Sequence, residues 1–278
     1  MATPSIAHYG ITIIEAAPPG GVDQRSVPIT GVLARNLEFL KVLSFRPQIE
    51  NFYEGVGRQY IWQRGEHGDV DYIEQDNFTS YSAAPRPATP GPRQGDTVFR
   101  LTHRDAIATF KTLRARELIS VDAVAAAEFE AGNHAWVLLS SPSGQQYEYG
   151  ATTATAAANH RVYVWTATAD LARIREAYGM HFGLQPQAAG NADFHGIGRV
   201  ELLSRESPGV SIGLLHSPIA GLSPRFSEDI FAEAGYTHFR LGAIDKAKTE
   251  AATRQAFPPG GDVAFVYFED SYLELVQA

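Results

Sequence analysis

The sequence predicts an α+β chain built from four βαβββ units, and three observations carry that prediction. The first is an internal repeat. Residues 97–105 read T-V-F-R-L-T-H-R-D and residues 237–245 read T-H-F-R-L-G-A-I-D, sharing Thr, Phe, Arg, Leu and Asp at five positions 140 residues apart. The second is the grammar around each copy: a β-rich run, a helix-periodic segment, then strand-like runs ending in one that carries a glutamate, Glu148 or Glu274. The third is punctuation. Ser82–Asp96 is too rich in Pro and Gly for a helix or a central strand, and Ala151–Asn159 is small and uncharged, as a linker is.

Taken in order, Glu38–Leu43 opens the first unit and leads into a helix over Arg46–Gly55, followed by runs at Gln59–Gln63 and Asp71–Gln75. The second unit starts at Thr97, with its helix over Arg104–Arg116 and its last strand over Gln145–Tyr149. The third starts at Arg161–Trp165. Its helix, Asp170–Gly183, places Leu171, Ile174, Ala177 and Tyr178 at helical spacing, with strands at Gly198–Leu203 and Val210–Leu215 after it. The fourth is the most compact, with a helix over Asp245–Gln255 and a last strand through Tyr272-Leu273-Glu274-Leu275. This gives two domains: 1–150, an N-terminal pair of units with an extra segment 1–35, and 160–278, a C-terminal pair, joined by the linker 151–159. Within the extra segment His8 begins a strand-like H-Y-G-I-T-I-I-E, which has no place in the four-unit grammar; surface or packing is the default role for that histidine.

Composition narrows the class. The chain has 278 residues, enough for a sizeable core, and a net charge of −8, which argues against a sequence-independent nucleic-acid binder. No apolar run is long enough to span a bilayer, and the N-terminus lacks the basic start and apolar stretch of a signal peptide, so a cytoplasmic protein is expected. With no cysteine, thiolate metal sites and cysteine nucleophiles are absent together. No nucleophile elbow, phosphate-binding loop or dinucleotide fingerprint occurs, and His-Gly-Ile-Gly at 195–198 reads as a turn. The scattered His67, His103, His134, His181 and His195 read as structural.

The strand–Asp–helix starts (THFRLGAID, TATADL), the segment Phe52-Tyr53-Glu54-Gly55-Val56-Gly57 and the final Y-L-E-L-V-Q resemble the vicinal oxygen chelate superfamily, which includes glyoxalase I, bleomycin-resistance proteins and type I extradiol dioxygenases. The resemblance covers the chain from about residue 36 onward, and the four-unit length is most similar to the extradiol dioxygenases. It implies paired units forming cupped sheets around a divalent metal (Fe, Mn or Zn), with ligands from the first and last strands of a unit. It also implies a small oxygenated substrate, catecholic or an enolisable carbonyl, and dioxygenase or isomerase/lyase chemistry.

Under that resemblance strand parity leaves His238 and Arg240 on one face of the fourth unit's first strand, with Tyr272 and Glu274 on the same face of its last. His238 and Glu274 are then metal ligands. The third ligand is open among His216, His160 and Tyr163: seven residues before Asp170, where a histidine is expected, stands Tyr163. Tyr163, Tyr272 and Tyr267 are candidate proton donors or acceptors, and Arg240 and Trp165 candidate substrate contacts. Val98 fills the slot that His238 fills, so the N-terminal pair is expected to hold no metal. The alternative is a metal-free member, either a small-molecule binding protein or an acid–base enzyme. A small-molecule partner, no nucleic acid or membrane, and a possible homo-oligomer complete the expectation.

Overall fold

The computed structural model describes residues 8–16, 31–53, 57–66, 69–80, 92–151, 162–187, 192–205, 210–217, 222, 237–244, 247, 250, 263–268 and 271–277. The first sheet contains β1 (His8–Ala16), β2 (Arg46–Tyr53), β3 (Gly57–Glu66), β4 (Asp69–Ser80), β13 (Thr237–Ile244), β14 (Val263–Phe268) and β15 (Ser271–Gln277), in the order β14-β15-β13-β1-β4-β3-β2. The second contains β5 (Thr97–His103), β6 (Trp136–Ser140), β7 (Gln146–Ala151), β8 (Val162–Trp165), β9 (Gln185–Pro186), β10 (Ala192–Phe194), β11 (Gly198–Arg205) and β12 (Val210–His216). Its order is β10-β11-β12-β8-β5-β7-β6, with β9 beside β11. The described helices are α1 (Gly31–Val42), α2 (Ala106–Ala115), α3 (Ala123–Glu130) and α4 (Leu171–Phe182). The α+β class is as expected; the first unit runs β1-α1-β2-β3-β4, while the second runs β5-α2-α3-β6-β7, with only the Ser120–Ser140 bridge where a third strand is expected.

The pairing of the units departs from expectation. The expected sheets follow the two halves of the chain, 1–150 and 160–278. Instead β1 pairs antiparallel with β13, and β5 pairs antiparallel with β8. The first unit therefore shares a sheet with the fourth, and the second with the third. The physical reason lies in residues 8–16, whose apolar-alternating run supplies the first unit's leading strand, ready to pair with the fourth unit's. Glu38–Leu43, expected as that strand, lies in α1, and Arg46–Gly55, expected as a helix, contributes β2. Pro47 and the β-branched and aromatic residues after it suit an extended strand better than a helix interior. The linker 152–159 and most of the expected helix 245–255 lie outside the described residues.

Three helices end alike. After α1, Ser44 takes a left-handed conformation (φ 68°) and the Phe45 amide donates to the Leu40 carbonyl. After α2, Glu117 (φ 55°) is followed by Leu118, which donates to Leu113; after α4, Gly183 (φ 69°) is followed by Leu184, which donates to Tyr178. Phe45, Leu118 and Leu184 are all buried, so the reversal that satisfies the last carbonyls also seats an apolar side chain in the core. Asp122 opens α3, its Oδ1 accepting from the Val124 and Ala125 amides.

Alternation in the second sheet separates its faces. Phe99, Tyr147, Tyr149, Val162, Val164 and Leu214 pack beneath the helices in the main core, whereas Val98, Tyr163, Trp165 and Leu215 form a separate cluster on the opposite face. The main core reaches the first sheet through Phe268 of β14, whose ring meets those of Tyr178 and Phe182 edge-on at 5.5 and 5.1 Å.

Candidate functional site

On the helix-free face of the second sheet four polar side chains meet in an apolar surround. Arg100 on β5 and Glu148 on β7 are register partners, so their side chains leave the sheet on the same side. Arg100 Nε donates to Glu148 Oε2 at 2.6 Å and its guanidinium donates to the Tyr163 hydroxyl at 2.8 Å; that hydroxyl donates to the same Oε2 at 2.5 Å. His195 Nε2 lies 3.3 Å from Glu148 Oε1. The Arg100 guanidinium also sits 4.1 Å from the centroid of the Trp136 ring, a cation–π contact. Burial pushes the Glu148 pKa up, but the His195 hydrogen bond, the charge and hydrogen bond of Arg100 and the Tyr163 hydrogen bond together outweigh it. The carboxyl is held below its ordinary 4.5.

Local sequence explains each placement. Tyr163 faces Gly213 across β8 and β12, and a Cβ at Gly213 would run into the Tyr163 ring, so only glycine leaves room for it. His195 sits in a tight turn at φ 51°, closed by the Ile197 amide donating to Phe194 and the Gly196 amide donating to Asp193. A non-glycine residue in that conformation is uncommon, and here it holds an imidazole over the carboxylate.

The first sheet presents a different donor set, read from backbone register. In β13 and β15, His238 is opposite Tyr272 and Arg240 opposite Glu274; in β1 and β4, His8 is opposite Tyr72 and Gly10 opposite Glu74. Gly10 and His238 face each other across the central antiparallel pair. The two units therefore superpose about that pair: His8, Gly10, Tyr72 and Glu74 correspond to His238, Arg240, Tyr272 and Glu274. Strand parity puts all eight positions on one face. Phe268, on the helix-packed side, is opposite Ser271, so the eight belong to the face away from the helices.

The residues singled out from sequence thus fall into two groups. His238, Arg240, Tyr272, Glu274 and Tyr267, the last opposite Tyr272, share the first sheet. Tyr163, Trp165 and His216 belong to the second. Tyr163 is committed to Glu148 and Arg100. Trp165 is buried on the same face as Tyr163, and its Nε1 finds no hydrogen-bond partner among the described residues. His216 is one residue out of phase with Leu215, on the opposite face from Tyr163; burial, only partly countered by Glu201, lowers its pKa. His160 lies outside the described residues. Arg100 forms an ion pair with Glu148. Sequence reasoning missed the contact of His195 with Glu148 and the register equivalence of His8 and Glu74 with His238 and Glu274. A signal for Glu74 exists: Tyr72-Ile73-Glu74 repeats the Tyr272-Leu273-Glu274 pattern.

A divalent cation suits one sheet and not the other. In the second, the one carboxylate on the site face of β7 is already neutralised by Arg100, and among the described side chains no three His, Asp or Glu residues group as a cation site. In the first, two imidazoles and two carboxylates stand at symmetry-related strand positions, a nitrogen–oxygen donor set that Zn, Mn, Ni or Fe accepts.

The fold is similar to that of a plant glyoxalase I. Glyoxalase I from Zea mays superposes with a TM-score of 0.59 at 13% identity, over 98% of this chain and 92% of that one. Two single-residue variants of the maize enzyme give the same TM-score at 14% and 12% identity, again over 98% of this chain. Those chains match nearly end to end, so length gives no ground for preferring an extradiol dioxygenase to a glyoxalase. No protein-family model and no curated protein sequence matches the chain.

Proposed function

We propose that the protein is a divalent-metal enzyme of the vicinal oxygen chelate type, acting on a small enolisable carbonyl compound by isomerase or lyase chemistry. The site lies on the helix-free face of the first sheet, with His8, Glu74, His238 and Glu274 as ligands. The observation that carries this reading is the register symmetry that sets those four residues at equivalent positions on β1, β4, β13 and β15. A cation held there supplies Lewis acidity toward a carbonyl or enolate oxygen. Four protein donors favour that role over dioxygen activation, for which two histidines and one carboxylate leave more of the coordination sphere open. Glu74 and Glu274 are the available bases for a proton next to the carbonyl, and Tyr72, Tyr272 and Tyr267 the donors on the same face. Arg240, two residues beyond His238, takes the substrate's anionic group.

Elemental analysis of untagged protein purified without chelator tests the reading. About one divalent cation per chain is expected, lost in both His238→Ala/Glu274→Ala and His8→Ala/Glu74→Ala and kept in Glu148→Gln. Protein with no metal that takes up none on reconstitution would overturn it, and so would metal lost in Glu148→Gln and kept in His8→Ala/Glu74→Ala. Either result would turn attention to a metal-free binding protein or acid–base enzyme.

A further inference from the structure

The free edge of the second sheet is unused by the proposed function and does not depend on it. A groove of about 810 Å³ runs between α3, β6 and the turn around His195. All of Trp136–Ser140 lines it, residues of both parities, so the groove follows the edge of β6 rather than one face of the sheet. Among the described residues β6 is the terminal strand, paired with β7 alone except at one bridge, where Ser140 exchanges both backbone bonds with Ser120 at 2.8 and 2.9 Å. Backbone groups on an antiparallel edge alternate in direction, so Trp136 and Leu138 turn theirs the same way as Ser140. Among the described residues, nothing pairs with the outward N–H and C=O groups of Trp136 and Leu138.

Charge selects what can cover them. Among the described residues, Asp122, Glu128 and Asp193 line the groove beside Glu148, which Arg100 already neutralises, and no Lys or Arg lines it, while Val124 and Ile197 stand exposed at its two rims. A second copy laid edge to edge would set this acidic lining against itself in a chain already at net charge −8. An extended segment with alternating basic and apolar side chains matches both features. We propose that this groove binds a basic, extended segment of a partner protein as an added β-strand. Main-chain hydrogen bonds run to Trp136 and Leu138, basic side chains approach the carboxylates, and apolar ones rest on Val124 and Ile197.

The test uses the full chain and a fluorescein-labelled hexapeptide of alternating Lys and Val, followed by fluorescence anisotropy. Saturable binding is expected, weakened about tenfold or more when alternate peptide nitrogens are methylated, because methylation removes the strand's donors and leaves its charge. A peptide with Glu in place of Lys should not bind. On the protein side, Asp193→Asn/Glu128→Gln should weaken binding several-fold. Leu138→Pro, which deletes an outward donor outside the β6–β7 ladder, should weaken it further. The methylated peptide requires no variant, so the proposal stays testable if Leu138→Pro fails to fold. Absence of binding overturns the proposal. So does methylated peptide binding within about twofold of the parent, or affinity unchanged in Asp193→Asn/Glu128→Gln. Concentration-dependent dimerisation that Leu138→Pro abolishes would assign the edge to a second copy and overturn it equally.

Discussion

The two sheets are built alike and furnished differently. Each joins two units through a central antiparallel pair of leading strands, β1 with β13 and β5 with β8, and flanks that pair with the units' last strands. In the first sheet the equivalent positions carry His8, His238, Glu74 and Glu274. In the second, Val98 stands where His238 does, Glu148 where Glu274 does and Gly213 where Glu74 does; the remaining imidazole position falls on residue 161, outside the described residues. With one carboxylate left, the second sheet supplies its own cation, the Arg100 guanidinium, and locks it with Tyr163. One scaffold thus carries His and Glu at these positions in one sheet and a closed, internally neutralised cluster in the other, and a few residues make the difference.

Perturbing the closed cluster sharpens that contrast. The largest effect belongs to Arg100→Met, which strands a buried carboxylate. A loss of about 3–5 kcal/mol is expected from denaturant unfolding, and adding Glu148→Gln should recover part of it, because the uncompensated charge disappears. Next is Gly213→Ala, whose Cβ must displace the Tyr163 ring; about 1–3 kcal/mol is expected, and full stability in that variant would show that the ring has somewhere else to go. Tyr163→Phe removes one hydrogen bond to a charged acceptor, worth about 1.5–3 kcal/mol, and should raise the Glu148 pKa as measured by NMR titration.

The smallest effect is one of pH. Because the folded-state pKa of Glu148 lies below its ordinary 4.5, its ionised form stabilises the fold at pH values above that ordinary value. The contribution fades as pH falls through the folded-state value. The stability gap between the parent and Glu148→Gln should therefore narrow as pH drops below 4.5 and stay constant above it. A gap that widens toward acid pH would contradict the assignment of Arg100, His195 and Tyr163 as its partners.

Much of the fold was legible because it repeats. The T-x-F-R-L segments marked two leading strands, and periodicity placed α2 and α4 within one or two residues of their observed ends. The first unit failed for a local reason: Glu38–Leu43 carries enough apolar residues to read as a strand, but Phe39 and Leu40 of α1 and Leu43 just after it are all buried in the core. That misreading left His8 without a unit. Which unit shares a sheet with which is a matter of long-range pairing that no local pattern records. His195 was invisible for another reason. Its reach to Glu148 depends on a left-handed backbone in a four-residue turn joining strands far from β7 in sequence.

The pairing of β1 with β13 has a consequence for the order in which the molecule assembles. The second sheet is drawn from one continuous stretch, residues 97–216, whereas the first joins strands before residue 81 to strands after residue 236. During synthesis the second sheet can close while the ribosome is still making the rest, but β1 must wait for β13, and closing that long loop slows the step and leaves a strand edge uncovered meanwhile. The closed, self-neutralised cluster can thus form before the strands that carry His8, Glu74, His238 and Glu274 are brought together.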